Sequence, residues 1–181
     1  MFNNFKHYQK ILSPLIVILL LGLSVLAFNY YNYDSFKRAY EHGTVYEQLA
    51  AITGYERWIG AKQYVPALRK AGYEIDDYNL KMTDWVTSLT TKKLKLEILP
   101  FASGIEVRFN YTDKNRTVNV YQVLSKDMQL NGNGVYYVVD GTPHGTRIEI
   151  SPEEKKEFTK VAVQEIKDML KDVYDSMYSQ E

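Results

Sequence analysis

From residue 11 to residue 33 the chain carries no charged side chain, and the eighteen residues that open this stretch read ILSPLIVILLLGLSVLAF. Nothing else in the sequence constrains the fold as strongly, because a helix that is apolar on every side has no face to turn toward water. At a rise of about 1.5 Å per residue the run covers about 27 Å, and about 34 Å with its uncharged extension, which matches the hydrocarbon thickness of a bilayer. A single transmembrane helix is therefore expected, with the lipid bilayer as partner through residues 11–33. Pro14 lies near its start, where a missing N–H costs least, and Tyr30, Tyr31 and Tyr33 follow as an interfacial aromatic belt would.

Two other readings compete. A buried helix of a globular core would show a polar face, which this run lacks. A cleaved signal peptide would suit the small residues around Val25-Leu26-Ala27, but the apolar core is longer than a usual signal h-region. Direction is argued from the flanks. Lys6 and Lys10 precede the run and Lys37 and Arg38 follow it, so the basic count is tied; the acid-free N-terminal tail contrasts with Asp34, Glu41 and Glu47 beyond. The expected arrangement is a single-pass anchor in the plasma (inner) membrane, N-terminus cytoplasmic, with the C-terminal domain periplasmic or extracellular.

The domain organisation follows: a tail and anchor over 1–33, then one extracytoplasmic domain over 34–181. Those 148 residues are close to the usual size of a single domain. The whole chain has 22 basic and 22 acidic residues; without Lys6 and Lys10 the domain keeps 20 against 22, a net of −2 that gives no footprint for nucleic acid. The absence of cysteine excludes disulfides, thiolate metal sites and a cysteine nucleophile.

Beyond the anchor, Ser35 is placed to cap a helix that begins at Phe36 and can continue the transmembrane one, and Pro66 with Gly72 brackets a short helix over 65–71. The period then changes to two. Leu94, Leu96 and Ile98 alternate with Lys93, Lys95 and Glu97, and Ile105, Val107, Phe109 and Tyr111 alternate with Glu106, Arg108 and Asn110. Pro100 to Gly104 links these two strands. Asp113-Lys114-Asn115 and Asn131-Gly132-Asn133-Gly134 supply later turns, before strands over 117–124, 135–139 and 147–150. Ser151-Pro152-Glu153-Glu154 is a capping box with proline at the first helical position, followed by the apolar stripe Phe158, Ala162, Ile166, Met169, Leu170, Val173 and Met177. The fold class expected is α+β, an antiparallel meander of about five strands packed with N- and C-terminal helices.

No constellation announces chemistry. His144 shares a loop with Asp140 and Thr142, which could seat a general base, but these are also ordinary turn formers and no G-x-S-x-G nucleophile motif accompanies them. Glu74, Asp76, Asp77 and Asp84 form an acidic cluster whose spacing fits no calcium loop. Asn131-Gly132-Asn133-Gly134 lacks the lysine and helix of a phosphate-binding loop, and the Lys92-Lys93-Leu94-Lys95 run is read as the polar face of a strand. Asn110 and Asn115 head formal glycosylation sequons that matter only in a eukaryotic secretory route. No catalytic, cofactor-binding or metal-binding residue is expected.

Sixteen tyrosines point instead to protein contacts, and the adjacent Tyr136 and Tyr137 must face opposite sides of a strand. The function expected is a non-catalytic, membrane-anchored subunit or scaffold of a bacterial cell-envelope complex, of secretion, pilus or motor type, with other envelope proteins or a homo-oligomer as partners. The alternatives are an anchored ligand-binding or sensor domain, using a pocket between sheet and C-terminal helix, and an envelope hydrolase built on His144 and Asp140.

Overall fold

A computed structural model describes residues 2–55, 61–76, 80–82, 85–101, 103–113, 115–143 and 145–179; within these, the side chains of 2–13, 29, 32–34 and 61 lie outside the description. The chain divides into two compact units, Met1–Ser35 and Phe36–Glu181.

Helix α1 runs Phe2–His42 without interruption, with Pro14 inside it. Ser35 is thus an interior helical residue and not a cap. In the first unit Ser24 Oγ donates to the Leu20 carbonyl at 2.8 Å, so the hydroxyl is satisfied by its own helix. Among the described residues no helix is long and apolar enough to cross a membrane. The transmembrane helix expected over 11–33 therefore finds no support at that level; the run of described side chains there is 14–28, about 22 Å at helical rise.

The second unit is α+β. Helix α2, Val45–Thr53, starts in a capping box: Thr44 Oγ1 accepts from Glu47 N at 3.2 Å and Glu47 Oε2 accepts from Thr44 N at 2.7 Å. A 3₁₀ turn at Ala61–Gln63 leads into α3, Val65–Lys70, with Pro66 in its first turn. Seven strands follow: β1 Glu74–Ile75, β2 Leu89–Thr90, β3 Glu97–Phe101, β4 Gly104–Thr112, β5 Thr117–Ser125, β6 Val135–Val138 and β7 Thr146–Arg147. They pair in sequence order, every neighbour antiparallel. The C-terminal helix, Pro152–Tyr178, closes the chain with the Ser151/Glu154 capping box in place.

The sheet thus has seven strands where about five were expected. The additional two, β1 and β2, are two residues each and exist only through pairing with each other and with β3. The alternation expected to start a strand at Leu94 instead lies in a bend, with Lys95 at φ 52°. The cause is a carboxylate from the C-terminal helix: Glu165 Oε1 accepts from the backbone N–H of Lys93 at 3.1 Å and of Leu94 at 3.2 Å, donors that a ladder would otherwise use. The strand expected over 147–150 is shorter and earlier, as β7. Pro100 is a β3 residue rather than part of a loop, paired with Ile105 at a point where β2 no longer reaches along β3. The close approach of β4 to β5 needs Gly104, since a Cβ there would lie 1.9 Å from the Leu124 carbonyl oxygen.

One core results. Ile98, Ile105, Val107, Phe109, Val118, Val120 and Leu124 line one sheet face, and Phe158, Ala162, Ile166, Met169, Leu170 and Val173 of the C-terminal helix meet them, joined by Leu49 and Ile52 of α2. At about 25 cal/mol per Å² of apolar surface removed from water, this layer contact is the main stabilising term. Beside it, Phe36 packs edge-on against Tyr40, Tyr64 and Tyr174, and Tyr40 stacks on Tyr174 with centroids 4.1 Å apart.

Candidate interaction surface

Strand alternation gives each inward residue an outward neighbour, and the outward set forms the opposite face of the sheet. Register fixes its rows. Glu97, Arg108, Tyr121 and Val135 lie side by side on β3 to β6; Leu99, Glu106 and Val123 form the next row; Asn110, Asn119, Tyr137 and Arg147 form the row on the other side. Tyr121 is 38% exposed, and Leu99, Phe101, Val123, Val135 and Tyr137 are half-buried, none of them packed against the core.

Within this face the polar groups answer one another. Arg108 Nε donates to Glu106 Oε1 at 2.7 Å and its Nη1 lies 3.8 Å from Glu97 Oε2. The bond to Glu106 raises the arginine pKa further, so the guanidinium is held in its charged form. That guanidinium also sits 6.0 Å from the centre of the Tyr121 ring, and Tyr121 meets Tyr137 edge-on at 5.9 Å. A pre-ordered patch of aromatic rings, aliphatic side chains and a paired arginine is what the centres of protein interfaces are made of. Tyr136, pointing the other way, is 3% exposed, and burial raises its phenol pKa although Gln122 Nε2 donates to the hydroxyl at 3.1 Å. Gln122 also donates to Lys155 O and accepts from Thr159, tying sheet to helix.

The residues singled out in the sequence fall elsewhere. Asp140 closes its own turn: its carboxylate accepts from the Thr146 hydroxyl, the Thr142 hydroxyl at 2.7 Å and the Thr142 backbone N at 3.1 Å, which together hold its pKa down at about 2. His144 lies outside the described residues, as do Asp77 and Asp84 of the acidic cluster. Glu74 is exposed on β1 and pairs with Lys95 at 3.2 Å. Among the described residues no three His, Cys, Asp or Glu side chains are grouped to hold a metal ion. Lys92 stands over the Tyr73 ring, 3.5 Å from Asp172, and Tyr73 donates to the same carboxylate at 2.7 Å; burial first, then Asp172, raises the Tyr73 pKa. An open hollow of about 550 Å³ lies between the β6–β7 edge and the start of the C-terminal helix, lined by Tyr136, Arg147, Glu149 and Lys155 among others.

Sequence reasoning did not find the outward face of the sheet. Its signal was present: Leu99, Phe101, Tyr121, Val123 and Val135 interrupt the polar outward positions, and Tyr137 was singled out only through its neighbour. Together these features define an α+β domain with one face of an antiparallel sheet packed against the C-terminal helix and the other outside the core among the described residues. The chain matches no family model, no curated protein and no solved structure.

Proposed function

We propose that the chain is a non-catalytic, membrane-anchored subunit or scaffold of a bacterial cell-envelope complex, held by residues 11–33 and docking proteins through the open sheet face. The observation that carries the anchor is the exposure of its side chains: the large apolar residues from Leu15 to Phe28 stand out at 47 to 66%. Each gains roughly 1.5–3 kcal/mol on leaving water, and a bilayer supplies that environment along the whole uncharged stretch. The acid-free N-terminal tail supports a cytoplasmic N-terminus and an extracytoplasmic domain.

Two measurements test this reading. With any outer membrane permeabilised, protease added to intact cells digests the C-terminal domain; digestion only after lysis reverses the orientation, and release of the whole chain by alkaline carbonate rejects the anchor. For the docking face, mild-detergent purification recovers stoichiometric protein partners with the native chain and loses them with Tyr121→Asp. The open hollow beside Arg147 and Lys155 favours a second reading, an anchored ligand-binding domain, which a monomer carrying a small molecule and indifferent to Tyr121→Asp would establish instead.

A further inference from the structure

We propose that the β7 edge of the sheet, from Thr146 to Ile150, takes an extended segment of a partner protein as an added antiparallel strand, whose side chains run basic, glutamate, acidic along the edge. This surface is separate from the outward sheet face, and the proposal stands without the anchor.

Backbone phase comes first. Strand β7 ends the strand order, so one of its sides has no neighbouring strand. Tyr137 faces Arg147, and the Ile148 N–H donates to the Tyr136 carbonyl at 3.0 Å, so Thr146 and Ile148 turn their backbone groups toward β6. The N–H and C=O of Arg147 therefore point away from the sheet, and by the same alternation so do those of Glu149. Among the described residues no backbone group bonds to either. Donor and acceptor pairs repeating about 6.6 Å apart along an edge are what another strand matches.

Charge then sets the order of the added strand. Arg147 and Glu149 stand exposed on one side of this edge, while Ile148 and Ile150 are half-buried and pack toward the core from the other. Arg108, Arg116 and Lys92 each answer a carboxylate of the domain, whereas Arg147, Glu149 and the ammonium of Lys155 have no ion pair among the described residues. An antiparallel neighbour matches them with a basic residue opposite Glu149 and, two positions on, an acidic one opposite Arg147.

The residue between these two lies opposite Ile148, on the side of the open hollow of about 550 Å³ lined by Tyr136, Ile148, Ile150 and Lys155 among others. Apolar walls with one unmatched ammonium suit an aliphatic stem that ends in a carboxylate, which is glutamate. The same feature argues against a second copy: the chain's own Arg147-Ile148-Glu149 keeps the flanking charges but would bring isoleucine to that ammonium. Main-chain bonds supply the affinity of such an added strand, and the hollow with its flanking charges supplies the selectivity.

The test uses the full chain in detergent micelles and reads the fluorescence anisotropy of a labelled synthetic peptide, threonine-valine-lysine-glutamate-glutamate-valine-threonine. The expected result is saturable binding that weakens roughly five-fold or more when the lysine and the second glutamate trade places. N-methylation of those two residues, which removes the donors that face the edge, should abolish it. Arg147→Glu combined with Glu149→Arg should reverse the preference between the two charge orders. Lys155→Ala should weaken the glutamate-centred peptide and leave a valine-centred one unchanged. Equal affinity for both charge orders, tolerance of N-methylation, an unmoved Lys155→Ala variant or no binding at all overturns the proposal. Self-association of the native chain that the peptide disperses overturns it too, by making a second copy the occupant. None of these outcomes touches the outward-face reading, which the purification with Tyr121→Asp tests.

Discussion

The two faces of one sheet are built from adjacent residues and behave as different materials. On β5, Val118, Val120, Gln122 and Leu124 point at the C-terminal helix and are buried, whereas Asn119, Tyr121, Val123 and Ser125 point away and are not. The inward face is covered by the 27-residue C-terminal helix, whose buried residues from Phe158 to Val173 share its core with Leu49 and Ile52 of α2. The outward face carries apolar side chains that are half-buried, with Tyr121 38% exposed, and none of them joins the core among the described residues. Hydrophobic character alone therefore does not say which side of this sheet is core; the covering layer does.

The strongest way to break this comparison is to delete the same side chain from each face. Leu124→Ala removes a fully buried leucine and is expected to destabilise the domain by about 2–5 kcal/mol. Leu99→Ala, on the outward face, is expected to cost less than about 1 kcal/mol. Denaturant midpoints of the two variants in detergent decide it. Equal losses would mean that Leu99 is covered, and the open face with its docking role would be gone.

A second pair asks whether the polar anchors differ in the same way. Glu165 is 6% exposed and takes two backbone N–H groups; Glu165→Ala leaves both donors without their acceptor, at a cost of about 1–3 kcal/mol. Glu165→Gln keeps an acceptor oxygen and should lose less. Arg108→Ala breaks an ion pair whose side chain is 40% exposed, worth under about 1 kcal/mol to stability. If Arg108→Ala proves the costlier, the outward pair is structural, and its place in a free surface is wrong.

This division also explains what could be read from the sequence. The C-terminal helix was legible because Ser151 with Glu154 marks its start and Phe158 to Val173 keeps one periodic stripe. Strand β4 was legible from the alternation of Ile105 to Tyr111, and β5 as a strand over 117–124 because the turn residues at Asp113 precede it; that carboxylate accepts from Asn115 N and Arg116 N. Strands β1 and β2 were not, since two residues hold no period and their pairing is a long-range event. The bend at 91–96 was misread because its Leu and Lys alternate, while the group that governs it, Glu165, lies about seventy residues later. The open face was half legible: alternation names its members but not the absence of a cover. Tyrosine number was a weaker guide, because Tyr40, Tyr64, Tyr73, Tyr136 and Tyr174 serve internal packing or hydrogen bonds.

The smallest expected effect belongs to neither face but to the rim, at the turn between β6 and β7. Asp140 is exposed, and the bonds from Thr146 and Thr142 lower its pKa from the ordinary 3.8 to about 2. A depressed folded-state pKa means that the unfolded chain takes up the proton first as pH falls. The carboxylate's contribution is therefore fully present above about pH 4 and is lost as pH drops toward 2. Comparing native chain with Asp140→Ala across that window should show a small stability difference that is flat above about pH 5 and shrinks on acidification. Leu124→Ala, which removes only buried hydrocarbon, should keep a constant offset from the native curve. A pH-independent gap for Asp140→Ala would mean that the turn is held by its backbone alone, and that the rim, like the core, owes its order to packing.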